Sequence, residues 1–387
     1  MHMSKDIIYF DNSATTRPFK EVIEHISEVN ACYWGNPSSL HMMGIEAEKL
    51  VKNARTVVAE YLSVKPDNVY FTSGGTEANN TAVLGYVNAN KRKGNHLITT
   101  RVEHASVLEA YKYLQTEGYK VDFIDVDNRG IIDIEKLERT VSANTSLVSI
   151  ILVNNETGVI QPYEEIISCV KNKNSSAALH FDAVQAFGKI KFKADSNIDM
   201  LTISSHKIHG PKGVGVLYVK PGIKVSPLFY GGGQERLLRA GTENVAGISA
   251  FGLACKKYMS QFNDSLEFAK KLKNIFLESI SLLPADIKIN SPMDDNFAPH
   301  IVNICFSGVK AEVLLHHLEQ RNIFVSSGSA CSSKRKIHSH VLKAMGVPDK
   351  YIEGAVRFSF SSFENSIEQI EICMQALKDI LPGISRK

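Results

Sequence analysis

The order of elements predicts a three-layer α/β domain on a mostly parallel, seven-stranded sheet, followed by a smaller α+β domain. Two observations carry this. Over the first two-thirds of the chain, short β-branched runs alternate with helical stretches. Beyond about residue 260 the character changes, and short strands interleave with amphipathic helices. The length agrees, since 387 residues suit one large domain or two intimate ones.

In chain order, a helix is expected over 19–29. Strands follow at 69–72, 97–100, 121–124, 147–153, 179–182, 200–204 and 215–219. Several are continuous apolar runs, as befits strands covered by helices on both faces. Intervening helices fall at 77–86 and 105–115. The next helix, 262–283, carries Leu266, Ala269, Leu272, Phe276, Ile280 and Leu283 at helical spacing and is stopped by Pro284. Strands at 301–306, 323–325 and 356–360 come next. A last helix shows Ile367, Ile370, Met374, Leu377 and Leu381 on one face. The expected boundaries are 15–260 for the large domain, with 1–14 and 261–387 forming the small one.

Composition narrows the class. Apolar residues are 44% and charged residues 22%, ordinary for a folded globular protein. A net charge of +3 argues against nucleic-acid or membrane-surface binding by bulk electrostatics. No apolar run approaches the roughly 20 residues that span a bilayer. The opening MHMSKDIIYFDNSATT lacks the apolar core of a secretory signal. Six cysteines without a CxxC pair fit a reduced, cytoplasmic enzyme better than a disulfide scaffold. Cys169, Cys255, Cys305 and Cys373 sit in helix or strand patterns and read as core thiols.

Four segments carry chemistry. Ser204 to Gly213 (SSHKIHGPKG) puts Lys207 where a buried strand ends in a Gly/Pro-rich turn. Desolvation disfavours the ammonium form, which suits a lysine for Schiff-base chemistry, although a surface turn lysine has the same local pattern. Thr72 to Asn80 (TSGGTEANN) follows a strand and opens a helix. Glycines admit close backbone approach and the helix start offers free N–H groups, making a phosphate cup or a simple N-cap turn. Asp182 ends an apolar strand, where a carboxylate needs a cation, such as a protonated pyridine nitrogen, or a hydrogen-bonding partner. Together these are three parts of a pyridoxal phosphate site. The fourth, Ser326 to Lys334 (SSGSACSSK), has no apolar period, reads as a loop, and exposes Cys331 for a functional role. His206 with His209, and Cys331 with His338 and His340, lack the remaining ligands of a metal site.

These segments resemble the cysteine desulfurases of the NifS/IscS type, in the class V aminotransferase group of fold-type I pyridoxal phosphate enzymes. The likeness runs through Tyr9 to Thr16, Gly35 to His41, Thr72 to Asn80, Val102 to Ser106, Val153 to Gly158, Phe181 to Ala186, Ser204 to Gly213, Arg239 to Asn244, Ser326 to Ser333 and Val356 to Ser359. The resemblance implies pyridoxal 5'-phosphate held by Lys207, which also moves the substrate Cα proton. It implies Asp182 on the pyridinium nitrogen, Gln185 on the phenolic oxygen, and His104 stacked on the ring for acid–base steps. Gly75, Thr76, Ser204 and His206 would bind the phosphate, and Thr242 the phosphate of a partner subunit in a homodimer. Asn155, at the cofactor, would join Arg357 in anchoring the carboxylate of L-cysteine, Arg357 by a bidentate pair.

The implied reaction gives L-alanine and a persulfide on Cys331, for a sulfur acceptor such as an iron–sulfur scaffold or a tRNA-thiolation enzyme. No resident metal, nucleic acid or membrane is implied; Cys331 is at most a transient iron–sulfur ligand. Selenocysteine lyase, class V aminotransferase and sulfur-carrier interaction hub are the alternatives. Three features depart from the family pattern. Leu237 stands where glycine is expected, Phe360 to Phe363 is atypical, and Lys334-Arg335-Lys336 follows the cysteine as either a partner contact or a solvated basic helix start.

Overall fold

The chain opens on strand β1 (Ile8–Tyr9) and helices α1 (Lys20–Cys32) and α2 (Met42–Leu62). This computed structural model describes residues 7–192, 194, 197–327 and 338–385. The large sheet contains β2 (Val69–Thr72), β3 (His96–Thr100), β4 (Lys120–Ile124), β5 (Thr145–Ile151), β6 (Ala178–Asp182), β7 (Met200–Ser204) and β8 (Gly215–Val219). Their order is β2-β8-β7-β6-β5-β3-β4. Only β8 is antiparallel to its neighbours. The other six strands therefore all end on one edge of the sheet, and that edge is where chemistry collects in open α/β sheets.

Most strand residues are buried, apolar and polar alike, because helices cover both faces of the sheet. Leu97, Leu147, Ala178 and Met200 enter one buried cluster, and their chain neighbours Ile98, Val148, Leu179 and Leu201 enter another. The helix α3 (Gly75–Asn80) runs through a π turn at Thr81–Gly85 into α4 (Tyr86–Ala89). This stretch and α5 (Ala105–Thr116) cover the first face. The second face takes α1, α2, α6 (Ile134–Thr140), α7 (Tyr163–Lys173) and α8 (Val245–Ser260). Where α2 crosses α8, a Cβ on Gly252 would lie 2.8 Å from Ala54 Cα, so only glycine permits that approach.

Past α9 (Phe262–Ser281) come β9 (Ile287–Ile289), β10 (Ile301–Phe306), α10 (Ala311–Glu319), β11 (Ile323–Phe324) and β12 (Ser326–Ser327). Next are α11 (His340–Ala344), α12 (Asp349–Ile352), β13 (Ala355–Ser359) and α13 (Ile367–Ile384). A second, antiparallel sheet runs β12-β13-β10-β9, and Phe276, Leu314, Phe358 and Leu377 pack in its core. The last helix starts on a capping box between Ser366 and Gln369. The sequence Phe360 to Phe363 finds its reason here. Phe360 packs edge-on against Phe10, Ser361 Oγ meets His209 Nε2 at 2.7 Å, and Phe363 joins Phe19 and Tyr258. Cys255, Cys305 and Cys373 are buried as expected, whereas Cys169 on α7 is only half-buried.

Residues 8–16 tie the two sheets together. β1 pairs parallel with β11, and Ser359 N–H donates to the Phe10 carbonyl at 2.7 Å. Six residues on from Phe10, Thr16 N–H donates to the His206 carbonyl at 2.9 Å.

The position where glycine was expected has a left-handed backbone. Glu235, Arg236 and Leu237 have φ of 45°, 54° and 69°. A left-handed leucine costs on the order of 1–2 kcal/mol, so neighbouring contacts must hold this turn. Both Arg55 Nη atoms donate to the Glu235 carboxylate, at 2.7 and 2.8 Å, and Phe71 N–H donates to it at 3.0 Å. Arg236 donates to the Val69 carbonyl at 2.7 Å and stacks over Tyr70. The Glu235 side chain is 2% exposed, so removing its partner strands a buried charge. Arg55→Ala is expected to lower unfolding free energy by about 3–5 kcal/mol in urea titration. A loss below about 1 kcal/mol would show that this pair does not hold the turn.

Candidate active site

The edge where the parallel strands end gathers residues from five loops. Gly75 and Thr76 follow β2, His104 follows β3, Asn155 follows β5, Asp182 ends β6 with Gln185 just beyond it, and Ser204 ends β7 with Ser205 to Lys207 following. Lys207 closes a single 3-10 turn, Ser205–Lys207. Its Nζ donates to the carbonyls of Ser13 at 2.6 Å and Ala14 at 2.8 Å, on the segment that ties the sheets together.

Asp182 is 3% exposed. Asn79 Nδ2 donates to its Oδ2 at 2.7 Å and Val184 N–H to its Oδ1 at 3.0 Å. The same Asn79 amide donates to Ser106 Oγ at 2.8 Å, and that hydroxyl lies 2.8 Å from His104 Nδ1. Ser106 N–H also donates to Nδ1, at 3.2 Å. Since Nδ1 is an acceptor, the proton of the neutral ring sits on Nε2. Burial holds His104 below the usual histidine range; the Asp182 carboxylate opposes this, and Lys207 and His340 add to it. A neutral imidazole with its proton on Nε2 is suited to acid–base work near pH 7.

His206 is pushed down to about 3 by burial, then by Lys207, Lys189 and Lys212. Its Nδ1 lies 3.1 Å from Thr15 Oγ1. Gln185 is buried and donates to the Ser13 carbonyl at 2.8 Å. Arg357, on β13, donates to the Asn155 carbonyl and to Asp11 Oδ1, both at 2.7 Å, while its buried Nε has no partner among the described residues. Thr242 is exposed and makes no hydrogen bond among the described residues; its loop is tied to α3 by Arg239 and Glu77 at 3.1 Å. Cys331 and Lys334-Arg335-Lys336 lie outside the described residues.

The chemistry of these residues fits pyridoxal phosphate. Asp182 is a buried carboxylate with no ion-pair partner among the described residues, and a protonated ring nitrogen supplies one. Ser204 Oγ is buried and has no partner among the described residues. It adjoins the start of α3, where a Cβ on Gly75 would reach within 3.0 Å of Val184 Cγ2 and 3.6 Å of Ser204 Cβ. A hydroxyl, bare glycine and unpaired helix N–H groups form an anion cradle.

Reading the sequence overlooked Asn79 and Ser106, which join Asp182 to His104, and the Ser13 and Ala14 carbonyls, which hold Lys207. A buried asparagine inside an otherwise apolar helix face was the available signal for Asn79. Nothing local marks a backbone carbonyl as a ligand.

Comparisons with known proteins agree with this geometry. The model of the family Aminotransferase class-V matches residues 8–372. Cysteine desulfurase IscS of Clostridium botulinum is 40% identical over 376 residues, covering 97% of this chain and 94% of that protein. A NifS/IcsS protein homolog of Lactobacillus delbrueckii subsp. bulgaricus is 41% identical over 382 residues, 98% of each. Among solved structures, a NifS-like protein superposes with a TM-score of 0.92 at 36% identity, covering 98% of this chain and all of that one. SspA in complex with cysteine gives 0.81 at 32% identity, covering 92% of this chain and 99% of that one. The chain belongs to the class-V aminotransferase family, in its NifS/IscS cysteine desulfurase branch.

Proposed function

We propose that this chain removes sulfur from L-cysteine with pyridoxal 5'-phosphate, releasing L-alanine and leaving the sulfur as a persulfide on Cys331. The observation that carries the reading is the buried Asp182, without an ion-pair partner among the described residues, on the same sheet edge as Lys207 and His104. When bound, the cofactor supplies an electron sink for the pair left at the substrate Cα. Lys207 holds it and moves the Cα proton. Asp182 would pair with the ring nitrogen, Gln185 would donate to the ring oxygen, and His104 would lie by the ring with its Nε2 proton available. Gly75, Thr76, Ser204 and His206 hold the phosphate. Asn155 and Arg357 hold the substrate carboxylate, which takes the place of Asp11 on the guanidinium. The Cys331 thiolate attacks the substrate sulfur; the new S–S bond forms as C–S breaks, and the electron pair stays with the three-carbon fragment, which is protonated and leaves as L-alanine. The IscS and NifS relatives and the cysteine complex of SspA favour this over aminotransferase or selenocysteine lyase chemistry.

The same reading makes the protein a homodimer, with residues 15–260 as cofactor domain and residues 1–14 with 261–387 as small domain. Trp34, Leu40 and Met42, and Phe229, Tyr230 and Leu237 on the stretch before Thr242, are large apolar side chains left exposed. A second copy covering them would bring Thr242 to the partner's phosphate. The persulfide would pass to a sulfur-acceptor protein in the cytoplasm, such as an iron–sulfur scaffold or a tRNA-thiolation enzyme. Among the described residues no helix is long and apolar enough to cross a membrane.

Two outcomes are expected. Borohydride reduction of the cofactor-loaded protein places the pyridoxyl adduct on Lys207 by mass spectrometry; an adduct on another lysine overturns the assignment. Cys331→Ala keeps the cysteine-induced change in the visible spectrum but loses alanine formation by at least about a hundredfold, roughly 2.7 kcal/mol in barrier. Near-full alanine production by that variant would reject the persulfide step.

A further inference from the structure

Lys189 lies four positions beyond Gln185 and has no role above. Its Nζ donates to Gln185 Oε1 at 3.2 Å, while Gln185 Nε2 donates to the Ser13 carbonyl at 2.8 Å. Lys207 Nζ donates to that same carbonyl at 2.6 Å. The glutamine is gripped at its oxygen end, and its nitrogen end lies against the atom that holds Lys207. A second observation comes from a cavity of about 20 Å³ lined by Lys189, Asn12, Thr16, His300 and Ser361. That is room for one water. His300 is 3% exposed, and neither ring nitrogen has a partner among the described residues. The cavity thus sets hydrogen-bonding groups from both sheets around the lysine.

We propose that Lys189 is a positioning residue, which by occupying Gln185 Oε1 keeps the amide nitrogen turned toward Lys207 and toward the ring oxygen of the bound cofactor. The inference deepens the function proposed above and rests on it. A primary amide has two N–H donors, and Ser13 takes one. Reversed, the amide would set its oxygen against the Ser13 carbonyl and the ring oxygen, with no proton between them. Burial, then Lys207 and Arg357, hold the Lys189 amine well below the usual lysine range, and His206, His209 and His300 also feel its charge. Charged or neutral, the amine keeps N–H groups to donate. A hydrogen bond to the ring oxygen favours its deprotonated form, so it lowers the pH at which the visible band of the loaded protein changes.

The test is that spectral midpoint in holoprotein of the wild type, Lys189→Met, Gln185→Ala and the double variant. Lys189→Met is expected to raise the midpoint by about one pH unit, a tenfold change in the equilibrium. The double variant should move no further than Gln185→Ala alone. Lys189→Arg, which keeps the donors, should stay near wild type. A wild-type midpoint in Lys189→Met overturns the proposal, and so does a shift that persists undiminished in the Gln185→Ala background, which would mark a direct charge effect. If Lys189→Met does not fold, Lys189→Gln keeps a donor without charge and should stay within about 0.3 unit of wild type; a shift of about a full unit contradicts positioning. Wild-type protein that loads no cofactor on Lys207 would instead refute the proposed function.

Discussion

A buried carboxylate governs this site. Asp182 ends a strand covered on both faces, and moving a charge from water into such surroundings is costly unless it is hydrogen-bonded and compensated. Asn79 and the Val184 N–H supply hydrogen bonds and no charge. The demand for a cation at this point gives the edge its chemistry. It also explains why α3 must begin where it does: Asn79 reaches Asp182 only because the helix starts at Gly75, and that start is itself the anion cradle.

The Asn79 amide is divided between two tasks. One donor fixes Asp182 and the other fixes Ser106, which orders the His104 ring through Nδ1. His104 and the Asp182 carboxylate therefore share one anchor. On the opposite side, residues 8–16 leave the second sheet and deliver the Ser13 and Ala14 carbonyls to Lys207, with Gln185 and Lys189 behind them. Lys207 is thus held by backbone from near the start of the chain.

Much of this was legible locally. The strands of the large sheet stand out because helix-covered strands are rich in apolar and β-branched residues, and all seven fall within two residues of their expected bounds. Lys207, Asp182 and the Thr72–Asn80 turn announced themselves as polar residues at the ends of apolar runs. Leu237 was visible as an anomaly, but its left-handed φ depends on Arg55, some 180 positions away, which no local pattern encodes. The antiparallel direction of β8 and the Arg357–Asp11 pair are likewise products of topology. Phe360 to Phe363 looked irregular because its partners, Phe10, His209 and Phe19, come from elsewhere in the chain.

The shared anchor makes a direct claim about one proton. With Nδ1 accepting from Ser106 and burial suppressing the charged form, His104 should be neutral at pH 7 with its proton on Nε2. Nitrogen-15 NMR of the imidazole in the full-length protein reads this tautomer. The account predicts an unprotonated Nδ1 and a protonated Nε2 in the wild type, with that tautomer preference weakened in Asn79→Ala. A protonated Nδ1 or an imidazolium at pH 7 in the wild type would contradict it.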